Sequence, residues 1–165
     1  MTVRLSKILL VAAVAFFYTL VVFDNTTDFD SNYQFIRHVL LMDTTFPGNS
    51  GMWRAIHSQA VYKAFYVGII GWEAVTMALC WAGTVQLLLA WRKPPETFHL
   101  AKRVTIIAFT SSLLMWLVAF LDVGGEWFLM WQSKLWNGQE AAFRMFAVVG
   151  LIFLLLVMPE RETQP

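Results

Sequence analysis

Charge is scarce in this chain of 165 residues: Asp, Glu, Lys and Arg supply 14% of it, where soluble globular domains carry about 25%. A soluble domain of this size would leave much of its 14 Phe, 8 Trp and 8 Met against water, so a water-soluble fold is set aside. An excess of one sign is missing too. With 12 basic and 11 acidic residues the net charge is +1, and the clustered basic surplus that nucleic acid requires is absent. The lone cysteine, Cys80, sits inside an apolar run. It excludes an intramolecular disulfide and a multi-cysteine zinc or iron–sulfur site, and it reads as a small buried hydrophobe. No Gly-rich phosphate loop, G-x-S-x-G or H-E-x-x-H pattern occurs.

Long apolar runs are what the chain does have. A spanning helix needs about 20 predominantly apolar residues, and four such stretches are bounded by charge or proline. The first runs from about Leu5 to Phe23, entered by Arg4 and Lys7 and ended by Asp24. It has a signal-like layout but no small-x-small cleavage site before Asp24, so it reads as an uncleaved span. The second covers Val61 to Trp91 and stops at Arg92-Lys93-Pro94-Pro95; as one helix it exceeds a hydrocarbon core of about 30 Å, so its outer turns should project beyond the lipid. The third, Val104 to Leu121, ends at Asp122 and Gly124-Gly125. The fourth, Ala141 to Met158, carries Arg144 in its first turn and stops at Pro159. The expected fold is a single all-α domain over residues 1–165, a four-helix transmembrane bundle.

Orientation follows from where the cations sit, because cytoplasmic loops retain Lys and Arg. Arg4, Lys7, Arg92, Lys93, Lys102, Arg103 and Arg161 fall on one side; Arg37, Arg54 and Lys134 fall on the other, with most of the acids. Both termini are therefore expected in the cytoplasm, with the larger loops outside.

The outer segments, Asp24 to Ala60 and Asp122 to Glu140, are rich in aromatics and mixed charge rather than Ser, Gly and Pro, and should fold onto the membrane surface. Ser31 or Asn32 can cap a short interfacial helix with Phe35, Ile36, Val39 and Leu40 on one face and Arg37, His38 and Asp43 elsewhere. Phe46-Pro47-Gly48-Asn49 supplies a turn. Gly124-Gly125 should break the third helix, leaving Glu126 to Trp131 to lie at the interface before an Asn137-Gly138 turn. Trp127, Trp131 and Trp136 suit an aromatic belt or a stacking surface for a quinone or partner helix.

The wording of these segments resembles a known family. Asp24-Asn25, Thr27-Asp28, Ser31-Asn32, Arg37-His38-Val39-Leu40, Met42-Asp43-Thr44-Thr45-Phe46-Pro47-Gly48-Asn49 and Met52-Trp53-Arg54-Ala55-Ile56 are similar to the outer-loop signature of an uncharacterised family of small bacterial integral membrane proteins, domain of unknown function 2165. Gly124-Gly125-Glu126-Trp127-Phe128, Met130-Trp131-Gln132-Ser133 and Trp136-Asn137-Gly138-Gln139 resemble its second signature. The resemblance implies four spans and a bacterial inner membrane. It brings no established activity and transfers no site residues.

Candidate chemistry rests on the residues themselves. Glu73 is the acidic residue well inside a predicted span, and an ionisable group there should face protein or water and have a partner. Arg144 is the expected partner. Their pairing would fix bundle register; a proton-relay carboxylate or a contact for a bound headgroup are the alternatives. Thr76 or Met77, Cys80 and Thr84 follow Glu73 at helical spacing, and Gly68, Gly71, Ala78 and Gly83 would let backbones approach on that face. Haem is disfavoured because His38 and His57 lie in the outer segment and His99 in the cytoplasmic turn, so no pair sits inside facing spans. His38, Asp43 and His57 with Asp122 or Glu126 form a weak metal pattern, and Asp28 to Asn32 starts like an EF-hand loop that fails at Tyr33 and Val39. No catalytic residue, metal or cofactor is expected.

The expected function is a non-catalytic accessory or assembly subunit of a larger inner-membrane complex, of respiratory or other energy-converting type. Its contacts are lipid and the partner complex, through an outer surface of Arg37, His38, Asp43, Trp53, Arg54, Glu126, Trp127, Trp131 and Trp136. The alternative is a small redox or quinone-binding subunit using Glu73, Arg144 and the outer Trp residues. A transporter fits less well, because the spans lack broken midplane helices.

Overall fold

The computed structural model describes residues 1–160, so Arg161, counted above among the cytoplasmic cations, lies outside the described residues. Within them the chain is all-helical. Helix α1 is Thr2–Thr27, α2 Phe29–Leu41, α3 Gln59–Ala90, α4 Pro95–Ala101, α5 Arg103–Leu114 and α6 Gln139–Val157. A π-helical segment, Met115–Trp127, continues α5, and single 3-10 turns occur at Met52–Arg54 and Met130–Gln132. Four of the rods, α1, α3, α4 to the π segment, and α6, are long and apolar enough to cross a membrane.

Side-chain placement is the reverse of a soluble protein's. Phe16, Leu20, Val75, Leu89, Ile107, Leu151 and Leu154 point outward from the rods, as they can where the solvent is hydrocarbon. Lipid tails are as apolar as leucine, so packing and interhelical hydrogen bonds hold such a bundle together. Tyr18, Cys80, Phe109, Met115 and Val149 fill the centre. Tyr18 on α1 shares a 2.6 Å hydrogen bond with Ser112 on α5 and accepts one of 3.0 Å from Trp116 Nε1. Trp72 Nε1 donates to Ser111 at 2.8 Å, and Thr76 shares a 3.0 Å bond with the same hydroxyl. The face of α3 expected to meet the bundle does so at Glu73, Thr76, Cys80, Gly83 and Thr84, all buried.

Several local expectations are corrected. Gly68 and Gly71 have open space where a Cβ would be, and Ala78 is exposed; close backbone approach on α3 occurs at Gly83, against Thr105. Gly124-Gly125 does not end the third rod, which runs on to Trp127 as a π-helix, a form in which each amide reaches one residue farther back. The two glycines are buried, and a Cβ on Gly125 would run into the Gln139 side chain, so Gly125 admits the start of α6. The first span continues past Asp24 to Thr27, and α2 starts at Phe29 without a side-chain cap, so Ser31 and Asn32 lie inside it. Ser31 instead donates to Asp28 at 2.7 Å. The turn at Phe46 to Asn49 forms as expected, closed by Asn49 N–H to the Phe46 carbonyl at 3.2 Å with Gly48 at φ 75°. The connection after α3 is partly helical: Pro95 opens α4, whose Phe98 is fully buried.

Candidate functional site

Glu73 does not meet Arg144. Arg144 is exposed on α6, and among the described residues no cation lies within ion-pair distance of Glu73. The reason is a neutral partner closer at hand. Because α1 runs on to Thr27, it carries Asn25 beside α3, where Asn25 Nδ2 donates to Glu73 Oε2 at 2.7 Å. Asn25 Oδ1 accepts from Asn32 Nδ2 at 2.6 Å, and the Tyr66 hydroxyl lies 3.3 Å from both Asn25 oxygens. Three elements thus converge on one buried carboxylate, 3% exposed. Donors run from Asn32 through Asn25 into Glu73, and the chain ends on an acceptor.

Two hollows adjoin this network. A cavity of about 260 Å³ is lined by Asn25, Asn32, Tyr66 and Glu73 on its polar side and by Trp116 and Phe120 among its apolar walls. A second, of about 410 Å³, lies between α2, α3 and the π segment and is almost wholly apolar. Phe35, Ile36, Ile69 and Phe120 border both.

Above them the two outer segments are laced into one cap. Gln132 Oε1 accepts from Phe46 N–H at 3.0 Å and from Asn49 Nδ2 at 3.3 Å, and Thr44 donates to Ser133 at 2.8 Å. Ile56 N–H reaches the Leu40 carbonyl at 2.9 Å. The surface residues expected to act together fall into groups. His38 pairs with Asp43 at 2.8 Å and stacks on Trp136 with centroids 4.7 Å apart. Arg54 donates to the Glu126 and Trp127 carbonyls at 3.3 and 3.0 Å, and its guanidinium lies 5.5 and 5.3 Å from the Trp53 and Trp127 rings. Those two rings meet edge to face at 5.8 Å, and Trp131 meets Phe46 likewise. Trp53 remains 73% exposed. Arg37 bonds Gln34 rather than a carboxylate, and Glu126 contributes its backbone with its side chain exposed. His38, Asp43, His57, Asp122 and Glu126 do not converge: no three His, Cys, Asp or Glu come within metal-holding reach among the described residues.

At the opposite end lies a charged knot that the sequence pattern did not disclose. Glu160 Oε1 accepts from Lys7 Nζ at 2.7 Å and from Lys102 Nζ at 2.8 Å, while Arg4 Nε stands 3.5 Å from Oε2. Both lysines also donate to the Met158 carbonyl at 3.0 Å, and Arg4 to the Trp91 and Lys93 carbonyls. Lys102 is 0% exposed, and the Phe98 ring lies 5.7 Å from its Nζ and 4.8 Å from the Arg4 guanidinium. Burial alone would raise the Glu160 carboxyl; the hydrogen bonds from Lys102 and Lys7, with their charges, outweigh it and hold the group below its ordinary value.

Asn25 as the partner of Glu73, with Asn32 and Tyr66 bonded behind it, gives no signal in the sequence, because none of the three carries a charge. No curated protein and no solved structure matches the chain. Residues 3–159 do match a family described as predicted small integral membrane protein (DUF2165), and the chain belongs to that family.

Proposed function

We propose that the chain is a non-catalytic accessory or assembly subunit of a larger complex in a bacterial inner membrane, of respiratory or other energy-converting type, with both termini in the cytoplasm. The observation that carries the reading is the outer cap. It is cross-braced by backbone and side-chain hydrogen bonds, yet it leaves the Trp53–Trp127 pair on the outside with Arg54 wedged beneath. Exposed Trp rings braced from below by a hydrogen-bonded Arg are the kind of residues that dominate protein interfaces, since little side-chain freedom is lost when a partner covers them.

A photoreactive residue at position 53, activated in native membranes, should yield one discrete adduct with a second integral membrane protein. The same probe at Leu151, on the outward face of α6, should yield none. Adducts with lipid alone at position 53, together with a monodisperse preparation containing only this chain, would overturn the reading.

The orientation rests on the cations. Arg92, Lys93 and Arg103 are exposed at the end where α1 starts and α6 finishes, and positive residues are retained on the cytoplasmic side. Cys80 is buried, which leaves the wild-type chain silent to a membrane-impermeant maleimide. Ser50→Cys should label in intact spheroplasts and Thr97→Cys only after permeabilisation. The reverse pattern would invert the topology.

A further inference from the structure

Glu73 is a buried carboxylate with one hydrogen-bond donor, Asn25, and no cation within reach among the described residues. A carboxylate offers about four acceptor positions, and inside a span an under-bonded one is costly. The neighbouring donors are already committed: Asn32 Nδ2 and the Tyr66 hydroxyl are turned to Asn25. What the site lacks is a donor, and the space beside the carboxylate is a cavity of about 260 Å³ rather than packed side chains.

The walls narrow the class of donor. Neither this cavity nor its apolar neighbour of about 410 Å³ has a Lys or Arg in its lining, so a phosphate-bearing headgroup would meet a carboxylate with no compensating cation. Tyr66, Trp116 and Phe120 offer ring faces and edges around the polar end, where a flat aromatic head can pack. The shared border at Phe35, Ile36, Ile69 and Phe120 leads from that end into the apolar hollow, which would take an alkyl or prenyl tail.

We propose that this double cavity binds a lipophilic phenol or hydroquinone, its ring hydroxyl donating to Glu73 and its tail lying between α2, α3 and the π segment. The inference goes beyond the docking role and does not depend on it; a chain that docks nowhere can still bind, and the reverse.

The test uses the full chain in detergent micelles and follows quenching of tryptophan fluorescence, since Trp116 and Trp72 line the cavities. The probes are n-decylhydroquinone, its dimethyl ether, which has the same shape without the donors, and n-decylammonium. The hydroquinone should quench saturably and bind ~10-fold more tightly than the ether, the value of one hydrogen bond. Ile69→Trp, which fills the shared wall without touching the network, should abolish binding, and Glu73→Gln should weaken it ~10-fold. Equal binding of hydroquinone and ether, unchanged binding in a folded Ile69→Trp chain, or preference for the ammonium would each overturn the proposal. Should either variant fail to fold, the comparison of hydroquinone with ether on the wild-type chain still decides.

Discussion

Glu160→Gln should cost the bundle about 3–5 kcal/mol, the range for removing one partner of a buried ion pair. The size follows from what is left behind. Lys102 is wholly buried, Lys7 nearly so, and Arg4 stands beside them; in the described residues Glu160 is the carboxylate that balances all three. Glutamine can still accept a hydrogen bond but cannot neutralise charge. Both lysines also donate to the Met158 carbonyl at the α6 terminus, so their displacement would release that terminus from α1 and from the α4–α5 junction. The pH dependence has a definite sign. The folded-state carboxyl is held below its ordinary 4.5, so the unfolded chain binds the proton more readily. The stabilisation is complete above about pH 4.5 and is lost as pH falls through the depressed folded value. Thermal melts in detergent from pH 7 to pH 3 should show wild type and Glu160→Gln converging at the acid end. A constant gap would mean that the charge is not the source. Adding Lys7→Met and Lys102→Met to Glu160→Gln should recover stability, because the loss comes from uncompensated charge rather than from a missing contact.

That knot also marks where sequence reading stops. The spans were legible because the property that defines them, some 20 apolar residues between charges, is local and additive. The buried stripe from Glu73 to Thr84 was legible for the same reason, as helical spacing fixes which residues share a face. Partnership was not. Arg144 was the natural counter-ion for Glu73 by charge and approximate depth, but depth leaves rotation about the α6 axis open, and rotation turned Arg144 outward while α1 delivered Asn25. An amide at a helix end carries no charge to draw the eye, and by its apolar run the first span ends at Phe23, two positions too soon to include it. By sequence Lys7 and Lys102 count as cations that set orientation, and most such residues face water. Their capture by Glu160 depends on how three helix ends meet, a relation between positions 7, 102 and 160 that no sequence window contains.

Gly83→Leu should be the most damaging single apolar substitution in the spans, costing about 3 kcal/mol or more, at or above the upper end of what overpacking typically costs. At Gly68 and Gly71 a methyl group could be housed, since nothing lies within 4 Å of the Cβ position. At Gly83 an added Cβ would stand 3.0 Å from the Thr105 backbone nitrogen and 3.1 Å from its Cα, with the Thr105 hydroxyl closer still. A side-chain tip can swing away; a helix backbone cannot without moving α5. That movement would pull apart the α3–α5 seam in which Trp72 and Thr76 bond Ser111, and in lipid no hydrophobic term pushes the helices back together. Gly83→Ala should therefore already lower the melting temperature by several degrees, and Gly83→Leu should give aggregated or non-cooperative material. Thr105 supplies the internal check. Its hydroxyl is buried without a hydrogen-bond partner, so Thr105→Ala should be nearly neutral alone and should restore part, not all, of the loss in Gly83→Ala, because the backbone contacts persist. Gly68→Ala, one face away and open, should leave the melt unchanged. Equal damage at positions 68 and 83 would mean that flexibility of glycine, rather than the close approach of α3 to α5, sets the cost.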